Sequence, residues 1–106
     1  MKVKLIVQHD GEGQFPTFLK GTPVTLTGGE DEHFLHWFPC EIDGHKTYIP
    51  ESFMQGSVLM RDYNPTELVQ NKGDVLEVVE IINSWLVATN DKGQLGFVPA
   101  ESVVSI

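Results

Sequence analysis

Short runs of apolar or alternating residues succeed one another along the chain, with Gly, Pro, Asn or Asp in the gaps between them. That is the pattern of a small all-β sandwich or barrel, and no stretch of helical period competes with it. The strongest strand is Val75-Leu76-Glu77-Val78-Val79-Glu80-Ile81-Ile82, β-branched and apolar, entered through the turn Asn71-Lys72-Gly73-Asp74. Trp85-Leu86-Val87-Ala88-Thr89, the turn Asn90-Asp91-Lys92-Gly93 and Gln94-Leu95-Gly96-Phe97-Val98 read as a hairpin in which Gly93 supplies the left-handed backbone. At the start, Met1-Lys2-Val3-Lys4-Leu5-Ile6-Val7 has the charge of a signal peptide without its apolar core, because Gln8-His9-Asp10 follows at once. It reads as a first strand.

The same order of elements occurs earlier in the chain. Lys20-Gly21 precedes Val24-Thr25-Leu26 as Lys72-Gly73 precedes Leu76-Glu77-Val78. Trp37-Phe38-Pro39-Cys40 matches Trp85-Leu86-Val87-Ala88, with a small residue closing each, and Asp43-Gly44 makes the hairpin turn that Gly93 makes later. Tyr48-Ile49-Pro50-Glu51-Ser52-Phe53 parallels Phe97-Val98-Pro99-Ala100-Glu101-Ser102-Val103. Two copies of one unit are therefore expected, at residues 1–55 and 57–106, with Met54-Gln55-Gly56 too short to let them tumble independently.

The second copy resembles the Src-homology-3 (SH3) family, which includes a bacterial SH3 type. Leu59-Met60-Arg61-Asp62-Tyr63 stands for the A-L-Y-D-Y motif, and Glu67-Leu68-Val69-Gln70-Asn71-Lys72-Gly73-Asp74 stands for E-L-x-F-x-x-G-D. Trp85, Gly96 and Pro99-Ala100-Glu101-Ser102-Val103 follow in the family's order. The resemblance implies an all-β fold of two small SH3-like barrels in tandem. It also implies a groove for a polyproline-type peptide in which Tyr63, Trp85 and Pro99 pack on the ligand and Glu67 pairs with a ligand Arg. Arg61 replaces the first motif Tyr and Ser102 the last one. The first copy keeps Trp37, Pro50 and Phe53, nothing in Leu5–Asp10 matches A-L-Y-D-Y, and its loop His9–Phe18 is glycine-rich.

Charge narrows the class of partner. The net charge of −8 over 106 residues divides evenly: residues 1–56 carry 4 basic against 8 acidic side chains, and residues 57–106 carry 3 against 7. Neither half offers the clustered Lys and Arg that hold phosphate backbones, so no nucleic acid is expected. No apolar run is long enough to span a bilayer, and no membrane partner is expected. The single Cys40 rules out an internal disulfide framework, which makes a cytoplasmic location the default.

Candidate chemistry is sparse. His9, His33, His36 and His45 lie with Cys40, Asp10 and Glu41 in the first half, a set that zinc accepts. The spacing His33-x-x-His36-x-x-x-Cys40 matches no strong ligand pattern, however, and on an extended strand His33 and His36 face opposite sides, so no metal is expected. Cys40 with His36 or His45 could form a thiol–base pair, but its match to Ala88 explains it as a small interior residue. No Ser-His-Asp set, phosphate loop or carboxylate pair has recognisable spacing, so neither enzyme activity nor a cofactor is expected. Gly28-Gly29-Glu30-Asp31-Glu32 reads as a solvated loop tip, or, with Asp10 and Glu12, as an attractant for a basic peptide.

The expected function is a non-catalytic binding or adaptor module, monomeric or weakly homo-oligomeric. It would take a protein or peptide partner through an aromatic surface groove or a cleft between the barrels, at Tyr63, Trp85, Pro99, Trp37, Pro50, Phe53 and Glu67. Each aromatic also has a packing role open to it. A cell-wall (peptidoglycan) or small-ligand module is the alternative that the resemblance offers, and a nucleic-acid-associated barrel a further one that the charge opposes.

Overall fold

The computed structural model describes residues 1–11 and 13–106, and the chain is all-β. The strands are β1 (Lys2–Leu5), β2 (Thr25–Leu26), β3 (Trp37–Ile42), β4 (His45–Pro50), β5 (Met54–Gln55), β6 (Val58–Leu59), β7 (Val75–Ile82), β8 (Trp85–Thr89), β9 (Leu95–Pro99) and β10 (Val103–Ser105). Single 3₁₀ turns, Glu51–Phe53 and Ala100–Ser102, follow β4 and β9. The sheets are open: β10-β1-β7-β8-β9, β2-β3-β4 and the pair β5-β6. Glu12, named above among the acids, lies outside the described residues.

Two compact units emerge, and they do not divide the chain at residues 55 to 57. One consists of Met1–Gln14 together with Thr66–Ile106, the other of Phe15–Pro65. The physical reason is the placement of β1. It pairs antiparallel with β10 (Val3↔Ser105) on one side and with β7 (Val3↔Leu76) on the other, so the first strand closes the sheet built by the last forty residues. Met54-Gln55-Gly56 is no linker either. Gly56 at φ 63° turns β5 straight into β6, a two-residue hairpin that keeps Val58–Leu59 inside the Phe15–Pro65 unit.

In the unit holding both chain ends, alternation along β7 turns Leu76, Val78, Glu80 and Ile82 inward and leaves Val75, Val79 and Ile81 exposed. A register shift between Val78 and Glu80 in the pairing with β8 marks a bulge there. The core is Val3, Leu5, Leu68, Leu76, Leu86, Ala88 and Val98, with Val78, Ala100 and Val103 packed against it. Two of those seven, Val3 and Leu5, arrive from the far end of the sequence. The turn expected at Asn71–Asp74 is present, with Gly73 at φ 94°. It docks on the first strand: Gly73 N–H donates to the Leu5 carbonyl at 2.8 Å and Leu5 N–H to the Asp74 carbonyl at 3.0 Å.

The Phe15–Pro65 unit repeats these local devices. Gly21 at φ 90° donates to the Leu59 carbonyl at 2.8 Å, and Leu59 N–H donates to the Thr22 carbonyl at 2.9 Å. Its interior is Phe18, Val24, Trp37, Cys40, Ile42, Ile49, Phe53, Leu59 and Tyr63. Trp37 stands opposite Pro50 as Trp85 stands opposite Pro99, and Cys40 and Ala88 are both buried mid-strand. His36 and Ser84, each preceding a Trp, share a left-handed backbone at φ 71° and 73°. Their carbonyls accept from the first residue of the matching 3₁₀ turn, Glu51 at 2.7 Å and Ala100 at 2.9 Å.

Because Leu5 is 1 % exposed within the core of the unit built from Thr66–Ile106, Leu5→Ala is expected to destabilise that unit by about 3 kcal/mol. Denaturant melts followed by NMR should show the loss at Leu76 and Leu86 amides before those of Cys40 and Ile49. Equal or earlier loss at Cys40 and Ile49 would contradict the assignment of β1.

Candidate functional site

Trp85 opens β8 with its ring only half buried, and side chains from three other segments surround it. Pro99 faces it across the β8–β9 register, and the Phe97 ring meets it edge-on at 6.4 Å between centroids. Phe97 and Pro99, two apart on β9, share one face of the strand. Segment Thr66–Leu68 lies along β9, held by Leu68 N–H to the Phe97 carbonyl (3.0 Å) and Phe97 N–H to the Thr66 carbonyl (2.9 Å). Gly96 permits that approach. A Cβ there would stand 3.0 Å from the Thr66 carbonyl oxygen and 3.1 Å from the Leu68 nitrogen. The docking brings Glu67 to the site.

The fourth contributor is His9, edge-on to Trp85 at 6.0 Å. Its backbone exchanges both hydrogen bonds with Gln70 at 2.9 Å, which fixes the side chain beside Glu67. His9 Nε2 lies 3.0 Å from Glu67 Oε1, with the two side chains 13 % and 18 % exposed, and His9 Nδ1 lies 2.7 Å from the Leu68 carbonyl oxygen. A carbonyl oxygen only accepts, so Nδ1 carries a proton, and a carboxylate at Nε2 calls for a second. Burial disfavours the charged ring. The hydrogen bonds to Glu67 and Leu68 and the charges of Glu67 and Asp10 outweigh it and raise the pKa above the ordinary 6.5. Below, Gln70 donates to Asp74 Oδ2 at 2.8 Å and accepts from Asn90 at 2.9 Å, which ties this floor to the β8–β9 turn.

Other residues singled out in the sequence fall elsewhere. Tyr63 belongs to the Phe15–Pro65 unit. There it is buried, its hydroxyl donates to the Tyr48 carbonyl at 2.6 Å, and its ring packs edge-on against Phe53 at 5.2 Å. Trp37 (5 % exposed), Phe53 and Pro50 are interior residues of that unit. Arg61 stacks its guanidinium over Phe53 at 4.2 Å, and Ser102 is buried.

His33 and His36 are not on a strand. Asp31 Oδ1 accepts from the backbone N–H groups of His33 and Phe34, and Glu30 from that of His36, so the acids organise a turn rather than a bare loop tip. His36 lies 3.9 Å from Glu30 and 3.4 Å from Glu51, and His45 packs on Phe18. Among the described residues no three His, Cys, Asp or Glu side chains converge as metal ligands. Burial pushes the Cys40 thiol up to about 11, so it stays protonated at neutral pH.

Residues 58–106 match the variant SH3 domain family. The SH3 match spans both units: Val58–Pro65 lies in one and Thr66–Ile106 in the other, where β1 stands between β7 and β10. Searches of curated proteins and of solved structures returned no match. The residue that motif reading missed is His9. Leu5 and His9 have the spacing of Leu59 and Tyr63, and His9 bridges to Gln70 as Tyr63 bridges to Phe18, but His in place of Tyr hid the correspondence.

Two outcomes are expected. The stability that the His9–Glu67 pair contributes is complete below pH 6.5 and lost as pH rises through the elevated pKa of His9. His9→Gln should therefore cost about 1.5 kcal/mol at about pH 5.5 and markedly less at about pH 8, read from urea melts. A cost that does not change with pH would show that the imidazolium is not what holds the pair. Gly96→Ala should destabilise by about 2 kcal/mol and detach Thr66–Leu68 from β9, seen as faster exchange of the Leu68 and Phe97 amides.

Proposed function

We propose that this protein is a non-catalytic interaction module that binds a peptide or protein segment over Trp85. The SH3 match supports the general class, since domains of that family serve protein interaction. The observation that carries the reading is the difference between two tryptophans in matching backbone settings. Trp37 is closed in the interior, whereas Trp85 stays half-buried among Pro99, Phe97, His9 and Glu67. A Trp held half open on a rigid hairpin, with an acid beside it, suits an extended proline-containing segment carrying a basic residue. The Phe15–Pro65 unit, on this reading, is a divergent second copy whose own aromatic positions have been given over to packing. Cys40 supplies no nucleophile, which agrees with a binding role.

The test is an NMR titration of the labelled chain with proline-rich basic peptides, following both indole N–H signals. The Trp85 signal should move and the Trp37 signal should not. Trp85→Ala should abolish binding with the fold retained, whereas Trp37→Ala should cost about 3–5 kcal/mol of stability. A still Trp85 indole at millimolar peptide, or an indole that responds to peptidoglycan fragments or oligonucleotides instead, would refute the proposal.

A further inference from the structure

The first strands of the two halves are structurally equivalent, and each serves the other half. In one unit Leu5 accepts from Gly73 and donates to Asp74; in the other Leu59 accepts from Gly21 and donates to Thr22. Ile6 N–H donates to the Ser102 carbonyl at 2.8 Å, and Met60 N–H to the Phe53 carbonyl at 2.9 Å, each carbonyl lying at the end of a 3₁₀ turn. His9 pairs with Gln70 as Tyr63 pairs with Phe18. The segment that directly precedes Thr66 is therefore committed to the Phe15–Pro65 unit. The slot between β7 and β10 is filled by a segment more than fifty residues away.

We propose that this slot is also an interface for a second copy of this chain, which inserts its own Met1–His9 segment there and receives one in return. Every contact of the slot is indifferent to which copy supplies the strand, so an exchanged dimer keeps the bonds of the monomer and differs only where the chain passes beyond Gly11. Gly11 packs on the same unit, where a Cβ would stand 3.1 Å from the Glu67 carbonyl oxygen, and past it Gly13 has a φ of 90°, a backbone that favours glycine. Charge favours the insertion over stacking of whole molecules. Met1–His9 carries Lys2 and Lys4 and no acid, whereas Thr66–Ile106 carries two basic and six acidic side chains. Lys2 stands opposite Glu77 in the register. An empty slot would expose two sheet edges and the apolar floor around Leu76, a surface that pairs readily with another strand.

The experiment is refolding of the full chain from urea at about 10 μM and at about 1 mM, with masses read by native mass spectrometry. It is paired with isotope-filtered NOEs on a mixture of ¹³C-labelled and unlabelled chains. Expected are a dimer whose fraction grows with concentration and intermolecular NOEs from Val3 and Leu5 to Leu76 and Val98. Gly13→Val strains the left-handed backbone at that position in the closed monomer and should raise the dimer fraction about fivefold. A monomer throughout, in both the natural chain and the valine variant, would overturn the proposal. So would a dimer lacking those NOEs. Neither result touches the role of Trp85, which is read separately from the indole titration.

Discussion

The seating of Lys2–Leu5 between β7 and β10 is the constraint on which the rest of one unit depends. An inserted strand satisfies backbone groups on both of its edges, and here it also places Val3 and Leu5 on the floor of the core. Without it, β10 has no neighbour in the sheet and β7 loses one of its two. The same insertion carries the chain on to His9, so the strand that closes the core also delivers the imidazole beside Trp85. Core closure and site assembly are one event in this unit.

Two backbones of similar design support different surfaces. Trp–Pro register, the left-handed residue before the Trp and the following 3₁₀ turn recur in both units, yet Trp37 is buried and Trp85 only half-buried. In the Phe15–Pro65 unit the aromatic partners turn inward: Tyr63 spends its hydroxyl on the Tyr48 carbonyl and its ring on Phe53, itself covered by Arg61. The corresponding place near Trp85 is filled by an imidazole tied to a carboxylate. One arrangement produces packing, the other a mostly buried imidazole–carboxylate pair at the edge of an aromatic surface, where screening by solvent is weak.

Much of this was legible in the chain because it is local. Strand β7, the β8–β9 hairpin, the glycines at Gly73 and Gly93, and the match of Cys40 to Ala88 all follow from short-range pattern and turn chemistry. The SH3 likeness of the second half was legible for the same reason, since it rests on residue order. That order grouped Tyr63 with Trp85, whereas the contacts Tyr63 makes with Tyr48 and Phe53 depend on the packing of the Phe15–Pro65 unit.

What the sequence by itself determined is the list of elements: all-β, short strands, tight turns, two sets of matching devices around Trp37 and Trp85. What only the tertiary structure decided is which first strand completes which set. Leu5 and Leu59 offer the same apolar side chain and the same backbone bonds, so these two residues do not discriminate between the two slots. The choice is made by non-local pairing, Val3 to Leu76 and Ser105, and it carries His9 to Trp85.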